Sequence, residues 1–265
     1  TAYDIRLSLV GSEMCIRDRY NKDLFDAAEL DYPTADWTWD DLYAAAEALT
    51  DEEAGVIGLV TPPNLERWLP FLYQNGGAIF NEDGEFVMND ELAIEALDFY
   101  ISFARDGIGG TPSAVDSGWG GEAFGRGRAA MAMEGNWAIQ FLLDNYPELN
   151  WGVAELPAGP AGKATMAFTV CYGVAANAEG EVADAAWQVV NFLTDDEGAA
   201  SVASVSFGPM PTRPSASEDY LANWEARTEG SGVNFEDFGA YIVGGEYSYP
   251  WRLPVGFQPF SDAFN

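Results

Sequence analysis

Apolar residues recur along this chain at two spacings, and the alternation between them outlines the elements. Leu42, Ala45, Ala46 and Leu49 keep the three-and-four spacing of one helix face. Thr38 precedes that stripe as a candidate N-cap with Asp41 three residues on, an acidic form of the capping box. Residues 90–107 repeat the pattern in a longer helix with Gly107 at its C′ position, and residues 67–77 read as a helix stopped by Gly76-Gly77. Further helices are predicted at 20–30, at 136–146, and as one or two segments over 181–203. Short apolar runs of strand length lie between them, at 55–60 (GVIGLV), 129–133 (AAMAM), from Trp151, and at 168–176 (FTVCYGVAA). Short strands alternating with longer helices predict an α/β fold. Two Pro/Gly-rich stretches, 157–162 and 208–216, bracket residues 166–209, as if the chain leaves one lobe and later returns. No internal repeat is present, and "NEDGEF" (81–86) reads as a turn, since it lacks the twelfth-position ligand of a calcium loop.

Composition narrows the functions. The 265 residues suffice for one large or two ordinary domains, and 48% hydrophobic with 14% aromatic content argues for a packed core. No apolar run approaches the ~20 residues of a membrane span. Acids outnumber bases 43 to 12, for a net charge of −31, and the lysines are Lys22 and Lys163 alone. Such a surface repels phosphate backbones and anionic lipids, so nucleic-acid binding is not expected. Acidic, lysine-poor chains are typical of saline habitats, which is reason enough for the charge. The chain has no His, which removes the commonest general base and metal ligand, and Cys15 and Cys171 make no disulfide framework. No metal and no cofactor are expected.

The start of the chain stands apart. "LVGSEMCIRDR" (Leu9 to Arg19) resembles an in-frame translated sequencing adapter, with Met14-Cys15-Ile16-Arg17-Asp18 back-translating to a transposon end. Residues 1–19 are therefore set aside from fold reasoning and expected to pack poorly. They carry three acids and three arginines, so the −31 belongs to residues 20–265. No leader is read from such a start.

The stretch "GRGRAAMAMEGNWAI" (125–139) carries the sharpest functional signal. A small apolar strand runs straight into Gly135-Asn136-Trp137, an exposed polar-aromatic corner. Trp is costly there unless its face has something to touch.

In order, Tyr20-Asn21-Lys22-Asp23-Leu24-Phe25, the Thr38-Trp39-Asp40-Asp41-Leu42 helix start, Asn75-Gly76-Gly77, "AFGRGRAAMAMEGNWAI", "WGVAELP", "AAWQVVNFLTDDEG" and "GPMPTRPSA" resemble the extracellular sugar-binding proteins of ABC importers, the family of maltose-binding protein. The resemblance covers about residues 20–265, and its weight lies in seven weak motifs occurring in order. It implies an α/β, periplasmic-binding-protein-like (type II) two-lobe fold. Residues 20–165 and 210–265 would form one near-complete C-terminal lobe, and 166–209 a partial excursion into the N-terminal lobe, most of which would be missing. It also implies high-affinity extracytoplasmic sugar binding, hinge closure and delivery to permease subunits. The location would be periplasmic or extracellular, with membrane association only through a lipid anchor on a missing N-terminus.

For the site, the resemblance implies sugars stacked on aromatic rings, with hydroxyls held by Asn, Asp, Glu and Arg. Trp137 matches the family's sugar-stacking tryptophan. Trp119, in the glycine loop "SGWGGE", is a second candidate. Asn64, Glu66 and Trp68 fall where the family places cleft contacts, although the helical setting of Trp68 suits core packing nearly as well. Asn136 has donor and acceptor for vicinal hydroxyls or serves to cap the next helix. Arg252, in "YPWRLP", is a candidate for bridging hydroxyls or for a surface ion pair, and Phe168 is the contact from the excursion. The remaining tryptophans, Trp37, Trp39, Trp151, Trp187 and Trp224, are assigned to packing.

Two other classes remain open. A glycoside hydrolase needs two positioned carboxylates, one with a raised pKa, but no motif singles out an acid pair among so many. A carbohydrate-binding module would show all-β alternation, which is absent. Among binding proteins the alternative ligand is a polyamine or another non-sugar solute, and anionic solutes are disfavoured by the acidic chain. "GWGGEAFGRG" is no phosphate loop, because it lacks the Lys-Ser/Thr ending.

Overall fold

The computed structural model describes residues 13–15, 17–169, 172–204, 217–229, 233–234, 237, 239–251 and 257–265. Its contacts gather into two compact units, one of Cys15–Ala167 with Gly230–Asn265, the other of Thr1–Met14 with Phe168–Glu229.

The larger unit is built on a five-stranded sheet of β1 (Arg17–Asn21), β2 (Ile57–Val60), β3 (Gly109–Gly110), β4 (Ala129–Glu134) and β5 (Trp151–Ala154), ordered β3-β2-β4-β1-β5. β2 pairs in parallel with β3 and β4, with Leu59 opposite Met131 and Gly109. β1 runs antiparallel between β4 and β5. α1 (Lys22–Ala27) and α2 (Trp39–Leu49) link β1 to β2. Parallel neighbours need helical crossovers, and α3 (Leu65–Gln74), α4 (Glu91–Arg105) and α5 (Gly120–Gly125) lie between the parallel strands, while α6 (Trp137–Asn145) links β4 to β5. Every residue of β4 is buried, and the alternation of Ala with Met suits a strand with close neighbours on both faces.

The local signals act as the sequence predicts. Thr38 accepts from Asp41 N while the Asp41 side chain accepts from Thr38 N at 2.8 Å, closing the box at the start of α2. Gly107 turns the chain after α4 with φ of +75°. In the 81–86 turn the Asn81 side chain accepts from Asp83 N and Glu85 N. Gly58 in β2 lets α2 approach, because a Cβ there would run into the Ala46 carbonyl. Gly58→Ala is expected to lower stability by about 3 kcal/mol, since overpacking against backbone has no flexible neighbour to yield. A fall in the urea midpoint at unchanged m checks it.

Two expectations about strands are corrected. Residues 1–19 do not all lie outside the fold, for Arg17–Arg19 fill the first positions of β1, and Asp18 and Arg19 are buried. Ladder pairing is made by the main chain, so the strand extends back from Tyr20 whatever side chains it carries. Residues 1–12 lie outside the described residues. The strand predicted at 168–176 instead begins earlier, as β6 (Thr165–Thr169), because Thr165–Ala167 pair in parallel with β7 (Ser248–Pro250). Residues 172–175 have no regular structure, and the second Pro-rich stretch, 208–216, lies outside the described residues.

In the smaller unit, residues 181–203 form two helices, α7 (Gly180–Thr194) and α8 (Asp196–Ser204), followed by α9 (Ser217–Thr228). Asp195 divides the first two, its carboxylate accepting from Gly198 N at 2.8 Å. Trp224 on α9 is buried. Trp187, assigned to packing, is 54% exposed, which corrects that assignment. It shares α7 with exposed Val182, Val189 and Phe192, and none of that helix's residues is buried. A helix apolar on several faces is one made to be covered. Returning to the larger unit, α10 (Gly239–Gly244) and α11 (Gln258–Phe264) complete the chain.

Candidate functional site

Three strand-to-helix turns leave the carboxyl ends of the parallel strands β2, β3 and β4 on one edge of the sheet. In open α/β sheets that edge is where ligand-contacting loops gather. The β2–α3 turn carries Asn64 and Glu66, the β3–α5 connection carries Trp119, and the β4–α6 corner carries Asn136 and Trp137. The antiparallel course of β1 brings Asp18 and Arg19 to the same edge, with Arg17 opposite Glu134.

At the first turn, Tyr100 donates to Pro62 O at 2.7 Å and fixes the chain before α3. Asn64 caps α3, its side chain accepting from Arg67 N at 3.1 Å. Glu66 lies partly exposed in the first helical turn. Trp68 is not a wall residue. It is 1% exposed and stacks on Phe264 of α11 at 5.1 Å. The reason is periodicity, for Leu65, Trp68, Leu69 and Leu72 form the buried stripe of α3.

Trp119 is half-buried at the N-cap of α5. Its ring packs edge-on to Phe141 of α6 at 4.8 Å and lies across Gly121, where any side chain would strike it. The loop before it is tied down, with Gly118 N donating to Glu122 at 2.7 Å. Packing on one side and partial exposure leave the indole fixed yet reachable.

Trp137 begins α6 and is likewise half-buried. Its ring rests against Gly135, which has no Cβ to obstruct it. Its Nε1 donates to Glu134 Oε2 at 3.0 Å, and the Arg67 guanidinium sits over the ring, 5.4 Å from the centroid. Arg67 Nη2 donates to the same Glu134 Oε2 at 2.5 Å. Arg19 donates to the main-chain oxygens of Glu134 and Gly135 and to the Tyr241 hydroxyl, so the corner itself is held from β1. Asn136 is buried and makes no side-chain cap to α6.

The sequence singled out Asn64, Glu66, Asn136 and Trp137 but passed over Arg67 and Glu134, which join the two turns. The available signal was an acid closing a wholly apolar strand: Glu134 ends "AAMAME" and needs a buried partner. Phe168 is partly buried and belongs by its contacts to the smaller unit, and Arg252 lies outside the described residues. Among the described residues no group of His, Cys, Asp and Glu is arranged to hold a metal, and no helix is long and apolar enough to cross a membrane.

The comparisons with known proteins agree with this architecture. Residues 19–200 match the family of bacterial extracellular solute-binding proteins. The ABC substrate-binding protein Lmo0181 from Listeria monocytogenes, solved in complex with cycloalternan, is similar at 28% identity, with a TM-score of 0.79 over 96% of this chain and 63% of that one. Maltose-bound MalE3 of T. maritima has the same fold at 22% identity, with a TM-score of 0.75 over 96% of this chain and 64% of that one. Curated proteins of Brucella abortus and Brucella suis are 30% identical over 215 residues, 77% of this chain, and the chain spans about half of their length. With the family matched over most of its length and the fold shared with sugar-complexed members, the chain belongs to the bacterial extracellular solute-binding proteins.

Proposed function

We propose that this chain supplies one ligand-contacting wall of a solute-binding protein that captures a neutral sugar or oligosaccharide outside the cytoplasm and delivers it to an ABC importer. The observation that carries the reading is the pair of half-buried indoles, Trp119 and Trp137, set at strand-to-helix turns on one sheet edge, with Asn64, Glu66 and Arg67 at the neighbouring turn. Rigid aromatic planes bury the C–H faces of a sugar at little entropic cost, and polar groups beside them orient its hydroxyls. Of the two carboxylates buried near this edge, Glu134 is bonded to Arg67 and Trp137, and Asp18 is sealed in β1 between Met133 and Ala154, so neither is presented as a general acid, which supports binding over hydrolysis.

In this reading the larger unit belongs to the C-terminal lobe and residues 168–229 to the N-terminal lobe, so the excursion extends past the expected 166–209 to take in α9. The apolar faces of α7 are then what the rest of that lobe covers. Closure of the two lobes on the sugar would present the form that permease subunits recognise, with the protein periplasmic or at the cell surface, where a lipid anchor would hold it.

A thermal-shift panel tests the ligand class. Maltose and maltotriose at a hundredfold excess over Kd are expected to stabilise the complete protein by about 2.7 kcal/mol, seen as a raised midpoint. A rise with spermidine and none with any neutral sugar would replace the sugar reading with a cation-binding one.

A further inference from the structure

Glu134 is 1% exposed, yet it is a full carboxylate at the end of an apolar strand. One of its oxygens takes both the Arg67 guanidinium at 2.5 Å and the Trp137 indole N–H at 3.0 Å. The other faces Gly120, where an added Cβ would sit 2.6 Å from it, so the absence of a side chain there is what leaves room for the carboxylate. Arg67 also lies over the Trp137 ring, and its side chain keeps 12% of its surface open. Its Nε has no hydrogen-bond partner among the described residues. The three side chains thus form one rigid array from two separate turns.

We propose that Glu134 is the positioning residue of this wall and Arg67 the specificity-determining donor it aims. The buried carboxylate locks the indole and the guanidinium together, so that a neutral sugar lying against Trp137 also receives a hydrogen bond from Arg67. This rests on the sugar-binding reading above. The chemistry is selective in two ways. A free Arg side chain must give up its rotamer freedom on binding, whereas one already tied to a carboxylate has given it up beforehand. Glu134 also neutralises the Arg67 charge, so the pair offers donors without offering a net cation, which suits hydroxyls better than an anionic group.

The test uses the 265-residue chain, ¹⁵N-labelled and titrated with maltotriose, with the indole N–H resonance of Trp137 assigned through Trp137→Phe. Removing Arg67 alone would strand a buried charge, so the main variant is the double replacement Arg67→Met with Glu134→Gln, which leaves neither charge unpaired. The proposal expects the native Trp137 resonance to move with maltotriose. In the double variant it expects that resonance to start from a different position and the titration midpoint to rise roughly tenfold, the scale of one charge-assisted hydrogen bond. Glu134→Gln alone should shift the starting resonance while the other tryptophan resonances stay in place, a signature that general loss of stability would not give. A double variant that titrates within twofold of the native chain overturns the roles of Arg67 and Glu134 while leaving Trp137 as a sugar contact. A native Trp137 resonance that stays fixed while maltotriose shifts other signals overturns the sugar reading and this inference with it.

Discussion

Asp18→Leu is expected to raise the stability of this protein at pH 7 by on the order of 4 kcal/mol. Asp18 sits in β1 between Met133 on one side and Ala154 on the other. It is 1% exposed, and neither carboxylate oxygen has a hydrogen-bond partner among the described residues. Burial pushes its pKa up to about 8, and the positive charge of neighbouring Arg19 offsets only part of that. The folded value lies above the unfolded value of 3.8. The folded state therefore holds a proton that the unfolded chain has released, and stability falls as pH rises from about 4 to about 8. At pH 7 the accumulated penalty is about three pH units at 1.36 kcal/mol each, hence the magnitude given. A chain of net charge −31 also repels itself more as pH rises, so the informative quantity is the native-minus-variant difference. Urea denaturation at pH 4.5, 6 and 7.5 should show that difference widening with pH. Equal pH slopes for the two proteins would mean that Asp18 ionises freely in the folded state.

Trp137→Ala is expected to weaken sugar binding at least thirtyfold without unfolding the protein. Truncating an aromatic hot spot costs ~2 kcal/mol or more, and the indole is half-buried, so the core loses little. The variant also removes one of the two donors to Glu134 Oε2 and leaves Arg67 in place. Calorimetric titration of the complete protein with maltotriose, alongside far-ultraviolet circular dichroism, checks both halves. Unchanged affinity in a folded variant would remove Trp137 from the site, and a collapsed fold would make it a core residue.

Legibility followed range along the chain. The capping box at Thr38 and Asp41, the Gly107 stop and the strand predicted at 129–133 are signals of a few residues, and each appears in place, the strand running one residue further to Glu134. Trp68 was legible too, had the stripe Leu65–Trp68–Leu72 been weighed above its neighbours Asn64 and Glu66. The Arg67–Glu134 pair was not, because it joins residues 67 positions apart and only the sheet brings them together. The 17–19 segment shows a different limit. Its side chains argue against a strand, yet its main chain pairs with β4 from Arg17 and with β5 from Asp18. Hydrophobic pattern reports what a strand ought to contain, whereas the ladders accept any residue with a free N–H and C=O.

Central to the proposed function is that the indole-bearing sheet edge is half of a sugar site whose other half lies in sequence beyond these 265 residues. The direct measurement is the maltotriose Kd, with the association state, of the 265-residue chain and of the complete protein encoded by its parent gene. Millimolar binding and self-association through the exposed apolar faces of α7 are predicted for the chain alone. The complete protein is predicted to be a monomer that binds at least a hundredfold more tightly, because a second wall adds contacts and closure buries the ligand. Micromolar binding by the 265-residue chain as a clean monomer would contradict this and make the chain a self-sufficient single-lobe sugar-binding module.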